Sequence, residues 1–90
     1  MSHVRDNTAQ SRFEMEVDGQ IALADYRRQD GRLLITHVET PPALQGGGVA
    51  GRLMDGVVAA ARAEGAKIVP ICGYAAAYMR RHKEHADLLG

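Results

Sequence analysis

The stretch Gln45-Gly46-Gly47-Gly48-Val49-Ala50-Gly51 follows the pair Pro41-Pro42 and opens a segment of helical periodicity. Such a turn can hold an anion. The first amides of a helix have no intrahelical partner and point out of its end. They stand at the positive pole of the macrodipole, where phosphate oxygens are favoured. Glycine lets the backbone approach a ligand with no Cβ in between. Other phosphate motifs fit less well. A P-loop ends in Gly-Lys-Ser/Thr, and this turn has no such lysine. A dinucleotide fingerprint spaces its first glycines by one residue within a larger doubly wound sheet, and this chain is too short for one. The alternative is a glycine-rich surface loop with no ligand, set against the backbone entropy that three successive glycines cost on folding.

Further chemistry-bearing groups lie on both sides of the turn. His37 and Glu39 fall on one face near the end of a strand. They could supply a base for an amine proton, or form a surface polar pair. Tyr74 and Tyr78 stand one helical turn apart, just after Cys72. His82 and His85, with Glu84 nearby, lack a further convergent ligand, so no metal site is expected.

Regular elements must position these groups. Phe13, Met15 and Val17 alternate with Arg12, Glu14 and Glu16, which predicts a half-exposed strand. Asp18-Gly19 and Asp30-Gly31 are hairpin turn signals. They bound strands over about 20–28 and 32–39, and together these make an antiparallel three-stranded meander. Pro41 and Pro42 cannot donate ladder bonds and end the third strand. Val49, Leu53, Val57 and Ala61, widened by Ala50, Met54 and Val58, predict a helix over about 48–64 with one face on the sheet. Arg52, Asp55 and Arg62 fall on its other side, and Gly65 stands where a terminating glycine is expected. Gly51 and Gly56 lie inside this helix at about 1 kcal/mol each relative to alanine. A ligand passing close explains the first, and close helix–sheet contact the second. Residues 67–72 read as a short buried strand, parallel to the third through a right-handed crossover. Pro70 marks it as an edge strand, or as one unpaired on one side at that point. A helix follows over about 74–82, with Tyr74, Ala75, Tyr78 and Met79 as its inner face. Ala86, Leu88 and Leu89 are expected to tuck back as a turn or short helix. Residues 1–11 lack periodicity and read as a flexible tail, leaving 12–90 as one domain.

The chain has 90 residues, with eleven basic residues balancing eleven acidic ones. A domain this small buries only about 60–65% of the surface its unfolded chain exposes, so ligand binding or weak dimerisation would stabilise it appreciably. No basic excess or stripe speaks for nucleic acid. The lone cysteine excludes an internal disulfide and suits a reducing cytoplasm. Residues 1–11 show no apolar signal region, and no apolar run approaches the ~20 residues that span a bilayer. A cytoplasmic domain with no membrane partner, monomeric or weakly dimeric, is expected.

The order β-β-β, glycine-rich turn, α-β-α resembles the GNAT superfamily of N-acetyltransferases. Its pyrophosphate-binding signature, Arg/Gln-x-x-Gly-x-Gly/Ala, is matched by Gln45, Gly48 and Ala50. The length and the run Cys72-Gly73-Tyr74-Ala75-Ala76-Ala77-Tyr78 resemble its short, single-domain Yjdj-type members. The resemblance covers about residues 12–89. It implies a minimal α/β (α+β) fold that binds acetyl-CoA as acyl donor and passes the acetyl group directly to an amine, either a small amine or a protein amine. It implies that the amides from Gln45 to Gly51 hold the pyrophosphate, and that the pantetheine arm lies between splayed strand ends near His37, Val38 and Ile71. By the same resemblance Tyr78 would protonate the departing thiolate, with Tyr74 as its rival; each would also line the cofactor. Packing with a satisfied hydroxyl is the other reading of Tyr78. Cys72 would lie beside the thioester, as a nucleophile for a covalent acyl route or as a small hydrophobe. Glu39 would be the base. The usual helices between the first two strands, which build much of the acceptor pocket, have no counterpart here. Nor does the asparagine often found after the later strand, whose region Ile71 to Gly73 occupies. A non-catalytic CoA-binding or interaction module is the alternative.

Overall fold

The computed structural model of the protein describes residues 3–90. Five strands, β1 (Val4–Asn7), β2 (Arg12–Val17), β3 (Gln20–Gln29), β4 (Arg32–Glu39) and β5 (Lys67–Pro70), form one sheet in the order β1-β2-β3-β4-β5. The first four pair antiparallel, and β5 joins β4 in parallel. Helices α1 (Val49–Glu64) and α2 (Gly73–Arg81) contribute to one core cluster with the sheet, and a 3-10 segment, Lys83–Leu88, follows. This is the expected α/β arrangement of meander, β-α-β unit and C-terminal helix, with one strand more.

Both hairpins are set by their turn residues. Asp18 and Asp30 (φ 52°) precede Gly19 and Gly31 (φ 76°), so both central residues of each turn take the positive φ of a type I′ turn, whose twist matches the strands. The turns fix the register Val17↔Gln20 and Gln29↔Arg32. That register sends Phe13, Met15, Ala22, Ala24, Tyr26, Leu33 and Ile35 to the core face, against Leu53, Met54, Val57, Val58 and Ala61 of α1. Gly65 (φ 70°) ends α1, its amide donating to Ala61 and Arg62 carbonyls. Pro70 lies on β5 at the end of the sheet order, as its missing N–H requires.

Three expectations are corrected. The flexible tail gives way to β1, while Met1 and Ser2 lie outside the described residues. β1 escapes hydrophobic periodicity because polar partners distant in sequence hold it. Tyr26 donates its hydroxyl to Asp6 at 2.5 Å, Arg28 reaches Asp6 at 2.9 Å, and Arg5 and Asn7 donate to Glu14 at 2.9 and 3.1 Å. Glu14, placed on an exposed face by alternation, is therefore only 6% exposed. Asn7, then Arg5, hold its carboxyl below the ordinary 4.5, outweighing burial. The strand over 67–72 stops at Pro70, and Ile71 is exposed. The expected return of the tail as a short helix is met by the 3-10 segment: Leu88 is buried, and Leu89, though exposed, bridges Ile68 on the outer edge of β5. Among the described residues no helix is long and apolar enough to cross a membrane.

Gly56 acquires a specific partner: a Cβ there would overlap the side chain of Val4. Gly56→Ala should therefore destabilise the protein by about 1–3 kcal/mol through overpacking, reversing the ~1 kcal/mol gain that alanine brings to a helix interior. Urea unfolding checks this, and in a Val4→Gly background, which also removes the Val4 Cβ that the new side chain would overlap, the loss should largely disappear. Glu14 generates a second expectation. A lowered carboxyl pKa contributes stability above about pH 4.5 that is lost as pH falls through the folded-state value. Urea midpoints measured from pH 6 downward should fall in the wild type and fall less steeply in Glu14→Gln.

Candidate functional site

The segment between β4 and α1 is built to leave amides free. Pro41 and Pro42 start a 3-10 turn, Pro42–Leu44, in which Leu44 donates to Pro41 and Gln45 to Pro42. Gly47 donates to Leu44 at 3.4 Å, and Arg52 to Gly48 at 3.1 Å. Among the described residues no acceptor meets the amides of Gly46, Gly48, Val49, Ala50 and Gly51. Gly46 (φ 85°) and Gly48 (φ 78°) take the left-handed conformation that glycine adopts without strain. Gly48 caps α1 with no side chain over the helix end. The free amides of the first turn thus open outward rather than onto a capping oxygen. Gln45 steadies the turn, its side-chain amide donating to the Thr40 carbonyl at 3.0 Å.

These groups line a cavity of about 220 Å³ together with Thr40, Leu44, Gln45 and Tyr74. Tyr74 forms one wall from α2. A Cβ on Gly51 would stand 3.8 Å from its hydroxyl, an ordinary contact, so the phenol reaches the first turn of α1 without requiring glycine there.

The sheet divides nearby. β4 pairs with β5 only as far as Ile35↔Pro70, yet runs on to Glu39. The Ile35 carbonyl accepts both the Ile71 and Cys72 amides, at 3.0 and 2.9 Å. Beyond it Thr36 to Glu39 keep β3 on one side and, among the described residues, no strand on the other. A bulge falls at the same place. Asp25 opposes His37 and Tyr26 opposes Ile35, which leaves Thr36 as the extra residue, its hydroxyl on the Asp25 carbonyl at 3.3 Å. Bulges re-aim backbone and side chains. After this one, Val38 shares the face of Ala24, while His37 and Glu39 share the opposite face with Asp25 and Leu23.

The expected site residues therefore fall in three places. Gln45, Gly46, Gly48, Val49, Ala50, Gly51 and Tyr74 come together around the cavity. Gly47 sits in the same turn with its amide occupied. His37 and Glu39 lie on the open sheet face, mostly exposed, 3.2 Å from each other. Cys72 is half-buried against the core and caps α2, its carbonyl accepting from Ala76. Tyr78 lies away from the cavity lining. It is 4% exposed, donates its hydroxyl to Asp55, and stacks on His82 with ring centres 4.2 Å apart. Burial first, then the Asp55 carboxylate, push its phenol far above the ordinary 10. Tyr74, expected on the inner face of α2, is instead 42% exposed. Sequence reasoning passed over Thr40 and Leu44, which an apolar residue directly before a glycine turn could have signalled. It also passed over Asp55, which helical periodicity assigns to solvent.

Comparison with known proteins agrees with the fold. The family described as GCN5-related N-acetyl-transferase matches residues 12–88. No curated protein matches significantly. Among solved structures, a GCN5-like candidate N-acetyltransferase from Staphylococcus aureus superposes with a TM-score of 0.72 at 22% identity, covering 98% of this chain and 87% of its own. At that identity the likeness is one of fold.

The free amides lead to a direct test. Inorganic pyrophosphate at ~100 times its dissociation constant should add about 2.7 kcal/mol of stability, read as a rise in thermal midpoint. Gly48→Asp sets a carboxylate among the amides in a conformation that aspartate tolerates, so the domain should fold and lose the rise. An equal rise in both proteins would detach the turn from anion binding.

Proposed function

We propose that this chain, which belongs to the GCN5-related N-acetyltransferase family, transfers an acetyl group from acetyl-CoA to an amine. The observation that carries this reading is the set of unpartnered amides from Gly46 to Gly51, in a cavity beside the point where β4 and β5 part. Five donors at the positive end of a sixteen-residue helix suit a pyrophosphate. The free side of β4 from Thr36 to Glu39 suits a ligand arm with amides of its own, which would pair with it as an added strand does. The spacing from the turn through Val38 toward Ile35 then gives the arm a path to the sheet division.

The thioester supplies an activated acetyl group. In direct transfer the amine nitrogen bonds to the acetyl carbon, the carbon–sulfur bond breaks, and the thiolate takes up a proton. We assign the donor of that proton to Tyr74. Its hydroxyl stands at the cavity wall, where a phenol can act as general acid to a departing thiolate. Tyr78, given this task by resemblance, has its hydroxyl engaged by Asp55. The amine must lose its own proton. Glu39, exposed on the open face of β4 and paired with His37, is our choice of base, directly or through a water. An acceptor would then reach the carbonyl from the side of the sheet that no helix covers, which suits an amine carried on a larger molecule. Cys72, packed against the core, serves as a small hydrophobe in this scheme.

One observation favours a second reading, a CoA-binding module without transfer: Tyr74 is 42% exposed, so the cavity wall is open to water. Kinetics separate the two. Acetyl-CoA, but not ATP, should raise the thermal midpoint, and CoA release should depend on an added amine from a panel of polyamines and lysine peptides. Tyr74→Phe should then lower kcat by about 10²-fold with little change in KM for acetyl-CoA. Binding without release for any amine would favour the module, and no binding would overturn both readings.

A further inference from the structure

Two tyrosines one turn apart on α2 meet two residues one turn apart on α1. The Tyr74 hydroxyl stands over Gly51, and the Tyr78 hydroxyl donates to Asp55 Oδ1. Both steps are four residues, about 6 Å along a helix axis, so the two helices touch at two rungs of matching height. The geometry points to Asp55 as a positioning residue for Tyr74: by holding Tyr78 it sets the height and rotation of α2 on α1, and with them the place of the Tyr74 hydroxyl above the glycine turn. The task given to Tyr74 rests on the proposed acetyl transfer; the positioning itself does not.

Little else on α2 is directional. The helix has nine residues, begins without a side-chain cap, and runs Ala75-Ala76-Ala77 between the two tyrosines. Its buried residues are Ala75, Tyr78 and Met79. Apolar contacts of small residues resist separation but tolerate sliding and rotation, because burial is non-directional. A hydrogen bond to a carboxylate specifies distance and angle. Among the described residues the Tyr78–Asp55 bond is the one side-chain hydrogen bond between α1 and α2. Stacking of His82 on the Tyr78 ring fixes that ring from the far side, and the His82 amide closes the helix on the Tyr78 carbonyl. Burial and Asp55 both keep the phenol protonated, so the donor persists through the neutral range. Since Tyr74 lies one turn toward the N-terminus from this anchor, a shift of Tyr78 moves Tyr74 with it as a rigid body.

NMR of protein carrying ¹³C-labelled tyrosine rings tests this without any ligand. The three tyrosines give a reporter at each place: Tyr74 at the cavity, Tyr78 at the anchor, and Tyr26, bonded to Asp6, as a control for the fold. Asp55→Ala should move the Tyr74 signals while leaving those of Tyr26 in place. Asp55→Asn, whose amide oxygen still accepts, should restore them. Tyr78→Phe, which keeps the ring and loses the donor, should reproduce the displacement and decides the question if Asp55→Ala fails to fold. Acetyl-CoA titrations on the same variants should show affinity about five- to tenfold weaker in Asp55→Ala, with no further loss when Asp55→Ala is added to Tyr74→Ala. Unchanged Tyr74 signals in both Asp55→Ala and Tyr78→Phe would overturn the positioning role, as would a displacement that Asp55→Asn does not repair. Absence of acetyl-CoA binding in the wild type would overturn the functional reading alone, since the ring signals still decide the geometry.

Discussion

The carbonyl of Ile35 is where the molecule divides into scaffold and site. Before it, β4 has a strand on each side and its backbone groups are spent on the sheet. At it, one oxygen takes both the Ile71 and Cys72 amides, and β5 turns away into α2. After it, β4 carries an open edge toward the glycine turn. A strand edge left unpaired is normally a liability that proteins cover or blunt. Here it leads directly into a turn and helix end whose amides also lack partners among the described residues. Polar backbone groups need partners from solvent or a ligand, and under the proposed function one ligand would satisfy both.

The thinness of the domain sharpens this. One layer of helices covers one sheet face, and polar networks hold β1 on both. On the open face Glu14 is ringed by Arg5, Asn7 and Arg12, and on the helix side Arg28 spans Tyr26, Asp6 and Glu64 of α1. Exposed ion pairs contribute little singly. Their value here is geometric, because they dock β1 on a sheet whose apolar face is already committed. Val4 completes the dock by entering the gap that Gly56 leaves in α1, tying the first strand to the helix that carries the site.

Much of this was legible in the residues. The two Asp-Gly turns predicted the meander because positive φ at both central positions is a local demand. The apolar stripe from Val49 to Ala61 predicted α1 and its buried face. The glycine turn was legible for the same reason: amides at a helix end are free unless a side chain caps them. What stayed hidden depends on partners far apart in sequence. β1 has one apolar residue and is held by Tyr26, Arg28 and Glu14. That the Tyr78 hydroxyl is engaged while Tyr74 lines the cavity was equally invisible, because helical periodicity places both near one face. Only the position of Asp55, counted among solvent residues, decides which hydroxyl is occupied. The rotation of a short alanine-rich helix is not encoded in its own pattern.

The parallel seam between β4 and β5 also has a kinetic meaning. The hairpins close through two-residue turns, and contacts so local form early. Joining β5 to β4 must wait until the chain has crossed over the sheet through the whole of α1, which makes it the most topologically distant pairing in the sheet. The cavity joins the two sides of that crossover, with the turn that follows β4 on one side and Tyr74 of α2, which follows β5, on the other. Its assembly is therefore coupled to the final closure of the fold, and a ligand spanning the opening would act as a clasp, slowing the first step by which the domain comes apart.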